Sequence, residues 1–147
     1  YDRIKNGLKQ TLIYSTVICL ALMLVVVLFS GEIMRLFTDV SSPHFEEIVR
    51  IGKDYLVIVT SFYIMFSTMF VINGVTRGAG ATFIPMLITT LSLWVFRIPL
   101  AIVLSKSFGA TGIWWSIPVG WTAGCIGAVI YYKSGLWKKH RVKTVLN

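Results

Sequence analysis

Acidic and metal-ligating side chains are scarce in this chain: six Asp and Glu against 14 Lys and Arg, with two His and two Cys in 147 residues. Cys19 and Cys125 have neither the pair spacing nor the His company of a metal site, so they read as small packing residues. His44 and His140 stand alone in polar surroundings, and no catalytic constellation can be assembled around them. No Asp, Glu or His lies within a long apolar run, which sets aside a membrane-embedded enzyme. Period-two alternation is lacking too, which excludes the strands of a membrane β-barrel. There is no internal repeat and no low-complexity segment.

What the chain has is apolar length. Lys9 to Glu32 and Asp54 to Arg77 each enclose about 22 residues without a charge, against the roughly 20 that a hydrocarbon core of about 30 Å requires. A third run from about Phe83 to Leu104 carries one charge, Arg97, and a fourth from about Gly112 to Tyr132 carries none. A hydrophobic content of 56% and a mean hydropathy of +0.77 exceed what a soluble domain of this length could bury. Backbone groups in lipid must be satisfied within the segment, so the fold class is all-α: a polytopic membrane protein with spans at about 10–31, 55–76, 83–104 and 112–132, then a basic tail over 133–147. The first run is too long for a cleavable signal and no small-residue cleavage pattern follows it. With Tyr1 in place of an initiator Met and a charged segment leading straight into a span, the chain reads as a piece of a longer polypeptide.

Four spans put both ends on one side. If that side is cytoplasmic it holds Arg3, Lys5, Lys9, Arg77, Lys133, Lys138, Lys139, Arg141 and Lys143, whereas Arg35, Arg50, Lys53 and Lys106 fall outside. The basic excess therefore places both termini in the cytoplasm, and a plasma (inner) membrane is the expected location. The net charge of +8 invites a nucleic-acid reading, but these cations flank spans and form no aromatic-interleaved groove, so no nucleic-acid partner is expected.

The polar connection Gly31 to Asp54 holds five of the six acids and should lie outside. Ser42-Pro43 before Glu46-Glu47 reads as a helix start, with Phe45, Ile48 and Val49 giving the extension one apolar face. The inner connection over 73–82 ends one helix with a positive φ at Gly80, caps the next with Thr82 and accepts Pro85 in its first turn. Its glycines follow a helix rather than a strand, which argues against a phosphate cradle. The outer connection over 105–112 is short, implying antiparallel neighbours. Trp114 and Trp115 at one end of the fourth run and Trp137 at the other match the aromatic belts of membrane interfaces, and the tail around Trp137 suits an anionic headgroup layer.

Arg97 is the strongest single pointer to function, because a guanidinium inside a span should face protein or a water-filled cavity. Pro99, two positions later, lacks a backbone donor and frees a carbonyl about one turn earlier that can hold Arg97; the alternative is an Arg97 that snorkels to the headgroups. In the second run Thr60, Tyr63 and Ser67 form a polar stripe, either a cavity wall or interhelical glue. Met65 and Met69 fall elsewhere on that helix. In the fourth run Pro118 should bend the helix, while Gly120, Gly124 and Ala128 share a face open to close approach.

The run Asn73-Gly74-Val75-Thr76-Arg77-Gly78-Ala79-Gly80-Ala81-Thr82 with Pro85, then Trp94-Val95-Phe96-Arg97-Ile98-Pro99-Leu100-Ala101, then Gly109-Ala110-Thr111-Gly112-Ile113-Trp114-Trp115-Ser116, resembles the closing portion of a multidrug and toxic compound extrusion transporter. The resemblance covers essentially the whole chain. It implies the last four of twelve helices, in the second of two six-helix lobes. It also implies an antiporter that exports organic cations in exchange for protons or sodium, with no other cofactor. Partners would be the bilayer, the remaining helices of the same transporter and amphiphilic cationic small molecules. Thr60, Tyr63, Ser67 and Arg97 become transport-pathway candidates, and Asn73, Arg77, Gly78, Gly80, Pro85, Pro99, Pro118, Gly120 and Gly124 structural or hinge candidates. Two departures stand out: Ala81 replaces an Asp frequent after the second loop glycine, and the span between Tyr55 and Thr76 lacks the ion-coupling carboxylate that one branch carries in its tenth helix. A lipid-linked saccharide flippase of the same superfamily would bring several cations for a pyrophosphate, where these spans offer Arg97 alone. A stand-alone four-helix membrane scaffold is the alternative from outside transport.

Overall fold

A computed structural model describes residues 2–41 and 43–140. Five α-helices follow in order: α1 (Asp2–Phe37), α2 (Phe45–Ser61), α3 (Tyr63–Gly78), α4 (Phe83–Thr90) and α5 (Arg97–Ser134). A π-helical segment, Leu91–Phe96, joins α4 to α5, and a 3-10 helix, Leu136–His140, follows α5. No strand occurs among the described residues.

α1 is long and apolar enough to cross a membrane, and so is the stretch Phe83–Ser134; α2 and α3 pass that test together, as one span bent by 41°. Phe83–Ser134 is two arms rather than one rod. At Gly109 φ is 60° and ψ is −139°, a conformation that only glycine adopts readily. Beyond it, Gly112 lies against the Leu104 carbonyl, Gly120 against Ser92 and Arg97, and Gly127 against Ile88. Contacts that widen symmetrically about Gly109 are those of an antiparallel helical hairpin. The outer connection expected over 105–112 thus shrinks to a reversal at one glycine, with helix on both sides.

The bend between α2 and α3 has no Gly or Pro at its centre. Ser61 donates its hydroxyl to the Val57 carbonyl at 2.7 Å, a back-bond that bends helices, and Phe62 leaves helical geometry at φ −105° and ψ 7°. The Phe62 ring meets Trp115 edge-on at 5.9 Å, so its swing out of line is held by packing.

At the other end of α3 the chain stops as the glycine pattern predicts. Gly80 takes φ 96°; its N–H donates to the Arg77 carbonyl at 2.9 Å, and the Ala81 N–H donates to the Thr76 carbonyl at 3.1 Å. This pair satisfies two terminal carbonyls in a Schellman arrangement. Thr82 stands at the N-cap of α4, but its side chain makes no capping hydrogen bond, and Pro85 is fully buried in the first turn.

Other expectations are corrected. α2 begins at Phe45 with His44 at the N-cap and no side-chain cap; Ser42 lies outside the described residues. The apolar edge of this extension, expected at the interface or against a neighbouring helix, takes the second place: it turns to α1, where Val49 is buried and Gly52 rests on Met34. Arg35 meets Glu46 at 3.3 Å there, but with side chains 51% and 73% exposed this pair contributes at most about 1 kcal/mol. Trp137 is only 3% exposed: Gly135 at φ 70° turns the chain back, and the indole stacks on Tyr132 and donates to its carbonyl at 2.9 Å. Arg141 and Lys143 lie outside the described residues.

The core sits in three places. Leu8, Met69, Ile72, Cys125 and Ala128 close the end that holds both described chain ends; Val59, Ile117 and Trp121 fill the middle; Ala81, Tyr131 and Trp137 plug the base. Ala81, the departure noted at the inner turn, is therefore a buried packing residue. Large parts of α1 stay uncovered, including Val17, Leu24 and Leu28.

Candidate functional site

Where α2 bends into α3, the helices part around a cavity of about 530 Å³ lined by Cys19, Tyr55, Val59, Tyr63, Phe66, Ser67, Arg97, Ile117 and Trp121. Four helices contribute: α1, α2, α3 and both arms of α5. The bend aims Tyr55 and Val59 from one side and Tyr63 and Ser67 from the other, because a change of axis at Phe62 turns two half-helices toward one space.

Its wall is aromatic. Phe66 lies 4.8 Å from the Trp121 ring and Tyr63 5.7 Å from it, both tilted; Phe66 also meets Phe70 at 4.5 Å, and Tyr55 meets Trp114 edge-on at 5.9 Å. Linked rings of this kind hold one another in place and leave π faces for a cationic or aromatic guest.

Arg97 supplies the one cation of this lining. It stands where the π-helical segment passes into α5, and the widened turn before it together with Pro99 two residues later displaces the normal ladder. Among the described residues its guanidinium has no hydrogen bond and no ion pair; the carbonyl freed by Pro99 does not hold it. Gly120 gives it room, since a β-carbon there would meet the Ser92 carbonyl at 3.1 Å and Arg97 Cβ at 3.5 Å.

Of the residues singled out in the sequence, Tyr63, Ser67 and Arg97 come together in this cavity. Thr60 does not join them: it is buried at the end of α2 and lines no part of the cavity that its neighbour Val59 enters. Asn73 and Arg77 belong to the distant turn. Asn73 is buried, donates through Nδ2 to Thr89 Oγ1 at 3.2 Å and leaves Oδ1 without a partner; Arg77 Nε donates to the Asn73 carbonyl at 3.3 Å. Gly78 and Gly80 form that turn, Pro85 is packed beneath it, and Pro99 is exposed just past Arg97. Pro118 is fully buried in α5 with helical dihedrals, while Gly124 faces Met69 and Ser92 so closely that no side chain fits.

The sequence reading missed Cys19, Tyr55, Val59, Phe66, Ile117 and Trp121. A signal existed: Tyr55, Val59, Tyr63 and Phe66 recur at spacings of four, four and three, and Ile117 and Trp121 at four, the stripe of one helix face. Nothing in that stripe distinguishes a cavity wall from a packed core.

The MatE family model matches residues 1–103. "Probable multidrug resistance protein NorM" of Thermotoga maritima is 32% identical over 97% of this chain, and "Probable multidrug resistance protein YpnP" of Bacillus subtilis is 32% identical over 79% of it. "Probable multidrug resistance protein YoeA" of Bacillus subtilis is 24% identical over 99% of the chain. These alignments take in 30%, 25% and 31% of the relatives, so the chain spans about a quarter to a third of the length of the curated relatives it matches. No solved structure matches the chain. A bundle of long apolar helices, matched to one family along most of its length, belongs to the multidrug and toxic compound extrusion family and is a multi-pass membrane protein.

Proposed function

We propose that these helices are the last four of twelve in an exporter of amphiphilic organic cations, with both ends on the cytoplasmic face of the inner membrane. The observation that carries this reading is the cavity at the α2–α3 bend, where Tyr55, Tyr63, Phe66 and Trp121 present rings and Arg97 a lone positive charge. The names of the three relatives, each a probable multidrug resistance protein, support the substrate class.

Aromatic faces attract a cation without demanding a fixed polar pattern, which suits guests of varied shape. Arg97 repels a bare cation, so its charge is balanced by a carboxylate from the rest of the transporter, and that pair sets how strongly the cavity holds a positive guest. Because no acid lies in these spans, the proton or sodium that drives export binds outside this chain. One cation in the lining leaves no clamp for a pyrophosphate, which favours drug export over saccharide-lipid transfer.

The test is dye efflux by the complete transporter in cells lacking other exporters. Trp121→Ala or Tyr63→Ala should cut efflux of an aromatic organic cation by about 3- to 30-fold, the worth of one ring–cation contact. Undiminished efflux at equal membrane expression contradicts the reading.

A further inference from the structure

At the end of the bundle opposite the α1–α2 connection, a furrow of about 560 Å³ runs down α1 between Lys5, Leu8, Lys9, Leu12, Ile13, Thr16 and Val17, with Tyr132 of α5 as its other wall. A second recess of about 140 Å³ adjoins it, sharing Lys5 and Tyr132 and adding Lys133, Trp137 and Lys138. Together they make one feature with a basic mouth and an apolar shaft. We infer that it is a binding site for an anionic phospholipid of the surrounding bilayer, the phosphate held at Lys5, Lys9 and Lys133 and an acyl chain laid along Leu12, Ile13 and Val17.

Charge selects the headgroup. The described linings of both recesses hold four lysines and no carboxylate; five of the six acids, Glu32, Asp39, Glu46, Glu47 and Asp54, belong to the opposite end of the bundle, and the sixth, Asp2, precedes Lys5 by three residues and leaves a basic excess here. Lys5 and Lys9 are one helical turn apart and share a face, so both reach one anion. Basic pockets between membrane helices near the cytoplasmic side are where acidic headgroups bind.

Length selects a lipid over a free anion. From Lys5 to Val17 the helix rises about 18 Å at 1.5 Å per residue, close to one leaflet's share of a hydrocarbon core of about 30 Å. Ile13 and Val17 remain 51% and 59% exposed, a greasy track with no use for inorganic phosphate. The folded-back Trp137, stacked on Tyr132, fixes the wall that separates the recess from the core. This inference rests on the membrane placement and the cytoplasmic orientation proposed above, and is independent of what the transporter exports.

Native mass spectrometry of the complete transporter in mild detergent, offered phosphatidylglycerol and phosphatidylcholine of identical chains in equal amounts, tests it. The wild type should retain the anionic lipid about tenfold over the zwitterionic one, and Lys5→Gln with Lys9→Gln should bring the ratio near one, whereas Lys139→Gln should not. Equal retention of the two lipids by the wild type overturns the site, as does a preference that survives the double substitution. Competition by inorganic phosphate as strong as by the lipid shows an ion site only and overturns it also. Should the double variant fail to fold, Leu12→Trp with all lysines intact decides: brominated phosphatidylglycerol should quench the new indole more than brominated phosphatidylcholine, and equal or absent quenching means that other helices cover the furrow.

Discussion

Ser92 donates its hydroxyl to the Gly120 carbonyl at 2.6 Å, tying the π-helical segment to the opposing arm of α5. The two arms of the hairpin approach so closely there that Gly124 has Ser92 Oγ and Met69 Sδ where a β-carbon would stand. Arg97 follows five residues after Ser92, so this clasp positions the one cation of the cavity.

Gly124→Ala is therefore expected to destabilise the protein by about 1–3 kcal/mol, the usual cost of overpacking a filled interior. Gly127→Ala is the control, since its β-carbon would meet Ile88 at an ordinary 3.5 Å. A thermal melt of the detergent-solubilised protein should show a clear drop for the first and little change for the second.

Gly109→Ala should cost about 1–3 kcal/mol for a different reason, the strain of holding an alanine at φ 60° and ψ −139°. The space around Gly109 is open, so crowding has no part in it. Gly31→Ala, in open space within α1, should instead raise stability by up to about 1 kcal/mol, because alanine restricts the unfolded chain more than glycine. Melting midpoints moving in opposite directions for the two substitutions are the expected result.

Thr89→Val removes the acceptor of the buried Asn73 amide, whose Oδ1 already lacks a partner. A buried amide left with neither group satisfied should cost about 1–3 kcal/mol, read from the same melts. Thr89→Ser, which keeps the hydroxyl, should restore most of it.

Arg97→Met separates an anchoring role from a role in the pathway. Within the described residues the guanidinium makes no hydrogen bond to lose, so the melting temperature should hold or rise while organic-cation efflux by the complete transporter falls at least about tenfold. A large loss of stability with efflux per folded molecule unchanged would make Arg97 a structural anchor.

Local chemistry decided which features were legible in the sequence. The stop at Gly80, the burial of Pro85 and the close approach at Gly120 and Gly124 follow from residues whose backbone or size leaves few alternatives. Arg97 was legible because a charge in an apolar run demands an explanation. The break at Phe62 was hidden, since no Gly or Pro marks it and the ring contact that holds it is with Trp115, fifty-three positions away in sequence. The π-helical turn at Leu91–Phe96 likewise depends on the partner arm that binds Ser92. The packing of Trp137 on Tyr132 was hidden too, because it depends on the turn at Gly135 that folds the indole back.

The most direct test of the central claim uses Cys19, which lines the cavity, in a complete transporter whose other cysteines are replaced by serine. A membrane-impermeant maleimide applied to membranes opened on both faces should label Cys19, and an exported organic cation should slow that labelling in proportion to its occupancy. Labelling that proceeds at the same rate with saturating substrate, or a Cys19 that never reacts, would contradict a transport pathway at the α2–α3 bend.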